Sequence, residues 1–81
     1  MTIKLFVKDD CPHCPAAELA CEGIDVEVYD VGKIDGLAEA SFYGILATPT
    51  VLVLDGDGQE VVSWRGAVPD RRLLDRYTTI H

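Results

Sequence analysis

Cys11-Pro12-His13-Cys14 is where residue type and spacing point most directly to chemistry. Two thiols separated by two residues can close into a disulfide and reopen. Such exchange needs one exposed thiolate to attack a sulfur and a second thiol close enough to resolve the mixed disulfide. If these residues open a helix, positions i and i+3 lie on one face. A helix N-terminus also offers unpaired backbone N–H groups and the positive end of the dipole, and both favour a thiolate. A cysteine so placed can fall from about 8.5 to roughly 3.5–7.5. Cys11, at the outer tip, is the expected nucleophile. Cys14 points back along the helix and is the expected resolving thiol, and a protonated His13 would add positive charge. Asp9 and Asp10 oppose a thiolate. Pro15 removes a helical N–H and biases Cys14 away from helical angles, so either the first turn is loosened or the regular helix begins only after Cys14.

A C-x-x-C pair is also half of a zinc site, but a full site needs two further ligands at suitable spacing. Cys21 and His81 are the only other good candidates, and neither has motif spacing. Cys21 lies two turns beyond Cys14, about 10 Å away, too far for a disulfide, and reads as a small core residue. Asp55-Gly56-Asp57-Gly58 lacks the later ligands of a calcium loop and reads as a hairpin turn. Trp64 and Tyr43 read as packing residues. The net charge of -7 disfavours a nucleic-acid surface. Arg65, Arg71, Arg72 and Arg76, with Asp70 and Asp75 among them, read as a solvated face. No apolar run approaches the roughly 20 residues of a membrane span. The start of the chain lacks the apolar stretch of a signal peptide, so a cytoplasmic location is expected.

The elements that must hold the pair follow from pattern. Thr2 to Val7 is an apolar, β-branched run and reads as a central, parallel strand. A helix is expected from about Cys11 or Cys14 to Glu22, stopped by Gly23. Ile24 to Val31 alternates and reads as a second strand. Asp35 to Tyr43 reads as a helix carrying Leu37, Ala38 and Phe42, with Gly44 at its end. Thr50 to Leu54 and Gln59 to Arg65 form a hairpin. Pro69 opens a last helix with an apolar stripe of Leu73, Leu74, Tyr77 and Ile80. The order β-α-β-α-β-β-α gives an α/β fold, a four-stranded mixed sheet with helices on both faces, in a single domain over residues 1–81.

In that order, Cys11-Pro12-His13-Cys14 after the first strand and Tyr43-Gly44-Ile45-Leu46-Ala47-Thr48-Pro49-Thr50 before the third resemble the thioredoxin and glutaredoxin superfamily over nearly the whole chain. Gly66-Ala67 followed by a leucine-bearing helix adds to the resemblance. It implies a thioredoxin-like fold, a cis proline at Pro49 facing the cysteines, and Thr48 and Pro49 as the substrate-binding segment. The physical case is independent: X–Pro bonds are the ones that go cis at low cost, and the Thr48 backbone can receive an extended substrate segment as an added strand.

The chain also departs from the family. Asp10 stands where thioredoxins usually carry Trp, and Leu5 where they carry a buried Asp, so the usual proton acceptor beneath Cys14 is missing. The length is glutaredoxin-like, yet Gly66-Ala67 replaces the Gly-Gly-x-Asp pattern associated with glutathione. The resemblance therefore implies a monomeric thiol–disulfide oxidoreductase that reduces protein disulfides without a bound cofactor or metal. Cys11 attacks, Cys14 resolves, and Pro12 and His13 tune the thiolate. A flavoprotein thioredoxin reductase is favoured over glutathione as electron source, and ribonucleotide reductase and peroxidases are among the open clients. A glutathione-dependent glutaredoxin is one alternative, and a disulfide-forming oxidase or isomerase is another, because the Pro-His dipeptide resembles that of the periplasmic disulfide oxidase. A metal or iron–sulfur carrier is a third class.

Overall fold

A computed structural model describes residues 1–78; the expected stripe position Ile80, and His81, lie outside the described residues. In chain order the elements are β1 (Thr2–Val7), α1 (Cys14–Ala20), β2 (Glu27–Asp30), α2 (Ile34–Phe42), β3 (Thr50–Leu54), β4 (Glu60–Arg65) and α3 (Arg71–Thr78). The strands form one sheet in the order β2-β1-β3-β4. β1 is central, as its apolar run predicts, but only its β2 neighbour is parallel; β3 runs antiparallel to it and β4 antiparallel to β3. This is the mixed α/β sheet of a thioredoxin-like fold.

Alternate residues of β1 and β3 feed two cores, one on each face. Ile3, Leu5, Val51 and Val53 pack with Ala17 of α1, Cys21 and Leu74 of α3. Phe6, Leu52 and Leu54 pack with Ala40 of α2 and with Ile45. Both central strands are therefore apolar at consecutive positions. β2 is shorter than its alternation suggests. Ile24 and Val26 pack against the first core but precede the paired residues, and Val28 is exposed at the sheet edge.

α2 meets the sheet through its smallest residues. Gly36 and Ala40 are its buried positions. Leu37 and Phe42, the large apolar residues named for this helix, point outward, Phe42 being 80% exposed. The reason is distance: a Cβ on Gly36 would fall 1.9 Å from the Asp30 carbonyl oxygen, so only a glycine fits the contact. α2 ends through Tyr43 and Gly44, which has φ +66, and the Ile45 N–H returns to the Ala40 carbonyl at 2.8 Å in a Schellman-type closure.

Pro69 lies just outside α3, not in its first turn. Asp70 is the cap, its Oδ1 accepting from the Arg72 N–H at 2.9 Å. Arg71 then donates to the Ala20 and Glu22 carbonyls at 3.2 and 2.6 Å, covering the C-terminal end of α1. The β3–β4 turn closes on Asp55, whose Oδ1 accepts from the N–H groups of Asp57 and Gln59. No helix among the described residues is long and apolar enough to cross a membrane.

Candidate active site

β1 delivers the cysteine pair to its own carboxyl end, where open α/β sheets place their sites. Cys11 and Cys14 are joined as a disulfide with Cα atoms 5.3 Å apart. Cys11 is half-buried, and Cys14 is only 3% exposed. The expected contrast between an outer and a shielded sulfur is thus present.

The pair lies in a turn rather than inside a helix. The Cys14 N–H donates to the Cys11 carbonyl at 3.3 Å, and α1 begins at Cys14. Pro15 occupies the first helical turn, where its missing N–H does least harm. This decides between the two outcomes Pro15 left open. The regular helix starts at the second cysteine, and Cys11 stands before it. One amide is engaged in the turn and Pro15 supplies none, so the helix start has fewer N–H groups for a Cys11 thiolate than an ordinary one. His13 precedes α1 with an exposed side chain that makes no capping hydrogen bond. Pro12, Asp9 and Asp10 are exposed beside it.

Leu5, the position where the family resemblance would place an acid, is packed in the first core. Cys21 is buried on the same side, and burial pushes its thiol up while the Arg71 charge pulls the other way.

The antiparallel register brings the second segment to the same sheet edge. Phe6 faces Thr50 across β1 and β3, so Pro49 and Thr48 lie level with the end of β1 and the loop leading to Cys11. The Thr48–Pro49 bond is cis. Arg65 faces Thr50 from the other side, which brings Gly66 and Ala67 to that edge too. The Ala67 N–H donates to the Pro49 carbonyl at 3.1 Å. Thr48 and Lys8 line one cavity of about 390 Å³ together with Leu37, Ile45 and Leu46. Leu46 is 99% exposed. The Cys11–Cys14 turn, the Thr48–Pro49 loop and the Gly66–Ala67 loop therefore all lie at one edge of the sheet.

Pattern reading missed a buried cation nearby. Lys4, mid-β1, is 9% exposed and pairs with Glu39 of α2, with Glu27 at 3.6 Å. Its ammonium lies 5.2 and 5.1 Å from the ring centroids of Tyr29 and Tyr43. Burial pulls the ammonium down, but the Glu39 hydrogen bond and charge, helped by the two tyrosines, outweigh it and leave it raised. A lysine between Ile3 and Leu5 signals nothing until the α2 carboxylate above it is known. Among the described residues no group of three or more His, Cys, Asp or Glu is placed to hold a metal.

The arrangement can cycle a two-sulfur bond at the sheet edge that also carries the Thr48–Pro49 loop, and comparison with known proteins agrees. Residues 1–78 match the thioredoxin domain family. The chain is 39% identical to a thioredoxin of Methanocaldococcus jannaschii, the match covering 90% of this chain and 87% of the relative. Among solved structures, the glutaredoxin-like NrdH-redoxin of Escherichia coli, described as having a thioredoxin-like activity profile, superposes with a TM-score of 0.67 at 27% identity over the whole of both chains. Thioredoxin 1 of Thermosipho africanus gives 0.66 at 25% identity, over 95% of this chain and 93% of that one. With its cysteine pair at the end of the first strand and its fold shared throughout, this chain belongs to the thioredoxin family of disulfide oxidoreductases.

Proposed function

We propose that this protein reduces protein disulfides. The Cys11 thiolate attacks one sulfur of a client disulfide and expels the other as a thiolate, which takes a proton. The Cys14 thiolate then attacks the Cys11 sulfur and releases the second client thiol. Two electrons and two protons pass to the client, and the Cys11–Cys14 disulfide remains. The unequal exposure of the two sulfurs supports these roles, Cys11 being the one a client can reach. Thr48 and Pro49 receive the client backbone, and Pro12 and His13 tune the thiolate.

The observation that carries the proposal is the convergence of the disulfide with the Thr48–Pro49 loop at one sheet edge. A flavoprotein thioredoxin reductase is the electron source. Gly66-Ala67 in place of a glutathione-binding pattern favours it over glutathione, and so does 39% identity to a thioredoxin. The protein works as a cytoplasmic monomer, with clients such as ribonucleotide reductase.

The test is reduction of insulin disulfides with NADPH and thioredoxin reductase, run beside glutathione with its own reductase. Turnover with the first source is expected. Turnover only with glutathione would reverse the choice of donor, and turnover with neither would remove the reductant role.

A further inference from the structure

Thr50 is fully buried, and its hydroxyl is used twice. Oγ1 donates to the Ala47 carbonyl at 2.7 Å and accepts from the Gly66 N–H at 3.3 Å. A hydroxyl is both donor and acceptor, so one atom joins two loops. The first bond spans Thr48 and Pro49, and the second ties that span to the turn after β4. The two loops also touch directly. Gly66 has φ +69, and a Cβ there would come within 3.2 Å of the Ala47 Cβ. Pro49 has no N–H to offer the ladder. The bonds seen to hold residues 47–49 from the β4 side are therefore the Thr50 hydroxyl and the Ala67 N–H on the Pro49 carbonyl.

We propose that Thr50 is a positioning residue for protein clients: its hydroxyl holds the Thr48 backbone where the client strand must dock. It rests on the reading of Thr48–Pro49 as the docking segment. With no exposed surface, Thr50 cannot touch the client itself. None of its hydrogen bonds reaches the Cys11–Cys14 turn, so the sulfur chemistry is left alone. Its loss should therefore weaken recognition of an extended polypeptide and spare a small disulfide that needs no backbone partner.

The experiment compares Thr50→Val, which removes the hydroxyl at similar volume, with Thr50→Ser, which restores it. Each is assayed on insulin with dithiothreitol as reductant and, pre-reduced and freed of dithiothreitol, in a single turnover on 5,5′-dithiobis(2-nitrobenzoate). For Thr50→Val, KM for insulin should rise about 5- to 10-fold, the range one lost hydrogen bond supports. Its reaction with the small disulfide and its redox equilibrium with dithiothreitol should stay within about 2-fold of the parent, a change too small to count as a lost bond. Thr50→Ser should return KM to the parent value. Should Thr50→Val not fold, Thr50→Ala makes the same comparison.

Equal loss on both substrates, or no change on insulin, would overturn the role of Thr50 while leaving the docking segment in place. A parent protein whose rate of insulin reduction shows no saturation with insulin would overturn the docking reading, and this inference with it.

Discussion

Gly36 of α2 lies against the Asp30 backbone of β2, and an added Cβ would stand 1.9 Å from the Asp30 oxygen and 2.5 Å from its carbonyl carbon. The obstacle is main chain at the end of a paired strand, which cannot rotate away as a side-chain tip can. Gly36→Ala should therefore destabilise the protein by about 2–4 kcal/mol, despite alanine's better helix propensity. Urea denaturation reads this directly, and a loss below about 0.5 kcal/mol, the range of a neutral surface change, would mean that α2 does not sit as described.

Glu39 compensates the buried charge of Lys4, so the two positions should respond unequally. Glu39→Gln leaves the ammonium buried with weaker partners and should cost about 2 kcal/mol. Lys4→Met removes the charge at similar length and should cost less. The same comparison gives a pH dependence. The folded ammonium is raised above its ordinary value, so its contribution is fully present below the unfolded lysine value, about 10.4. It fades as pH rises from there toward the higher folded value. Denaturation midpoints between pH 8 and 12 should fall more steeply for the parent than for Lys4→Met.

The three cysteines should separate by reactivity. Cys11→Ser should abolish insulin reduction, Cys14→Ser should trap a mixed disulfide with the client, and Cys21→Ser should keep activity. In the reduced, folded protein, iodoacetamide near neutral pH should label Cys11 first. Cys21, buried and with its thiol pushed up by that burial, should be labelled only after unfolding. Mass spectrometry of the alkylated peptides checks the order, and early labelling of Cys21 would contradict its core position.

Arg71 joins the last helix to the end of the first through the Ala20 and Glu22 carbonyls, while its Nε holds Asp75 at 2.7 Å. Its side chain is partly exposed, so solvent screens much of the gain. Arg71→Gln should cost about 1 kcal/mol, chiefly from the helix-end contacts and less from the ion pair. If raising the salt to about 1 M erases most of that cost, the ion pair and not the carbonyl contacts holds this end.

What was legible in the sequence is what depends on local pattern. The continuous apolar runs of Thr2–Val7 and Thr50–Leu54 mark strands covered on both sides, and the structure has a core on each. The hairpin follows from Asp55 and its glycines, and the placing of the cysteine turn and the Thr48–Pro49 loop at one sheet edge follows from element order. What was not legible depends on how closely two elements approach. The large apolar residues of α2 suggest a buried stripe, yet backbone contact at Asp30 turns Gly36 and Ala40 inward and leaves Leu37 and Phe42 outside. Two small residues four apart were the available signal. Lys4 and Thr50 escaped notice for a related reason: their value lies in partners 35 and 16 residues away. Pro69 lies two positions before the helix it was expected to open, because Asp70 is the better cap.

The antiparallel pairing of Thr2 with Leu54 sends Met1 and the Asp55–Gly58 turn to the end of the molecule opposite the cysteines. That far end is a natural handle. A fluorophore or electrode tether attached at Asp57 would leave the sulfur-bearing end facing solution, so immobilised protein could exchange electrons with clients without being unmounted.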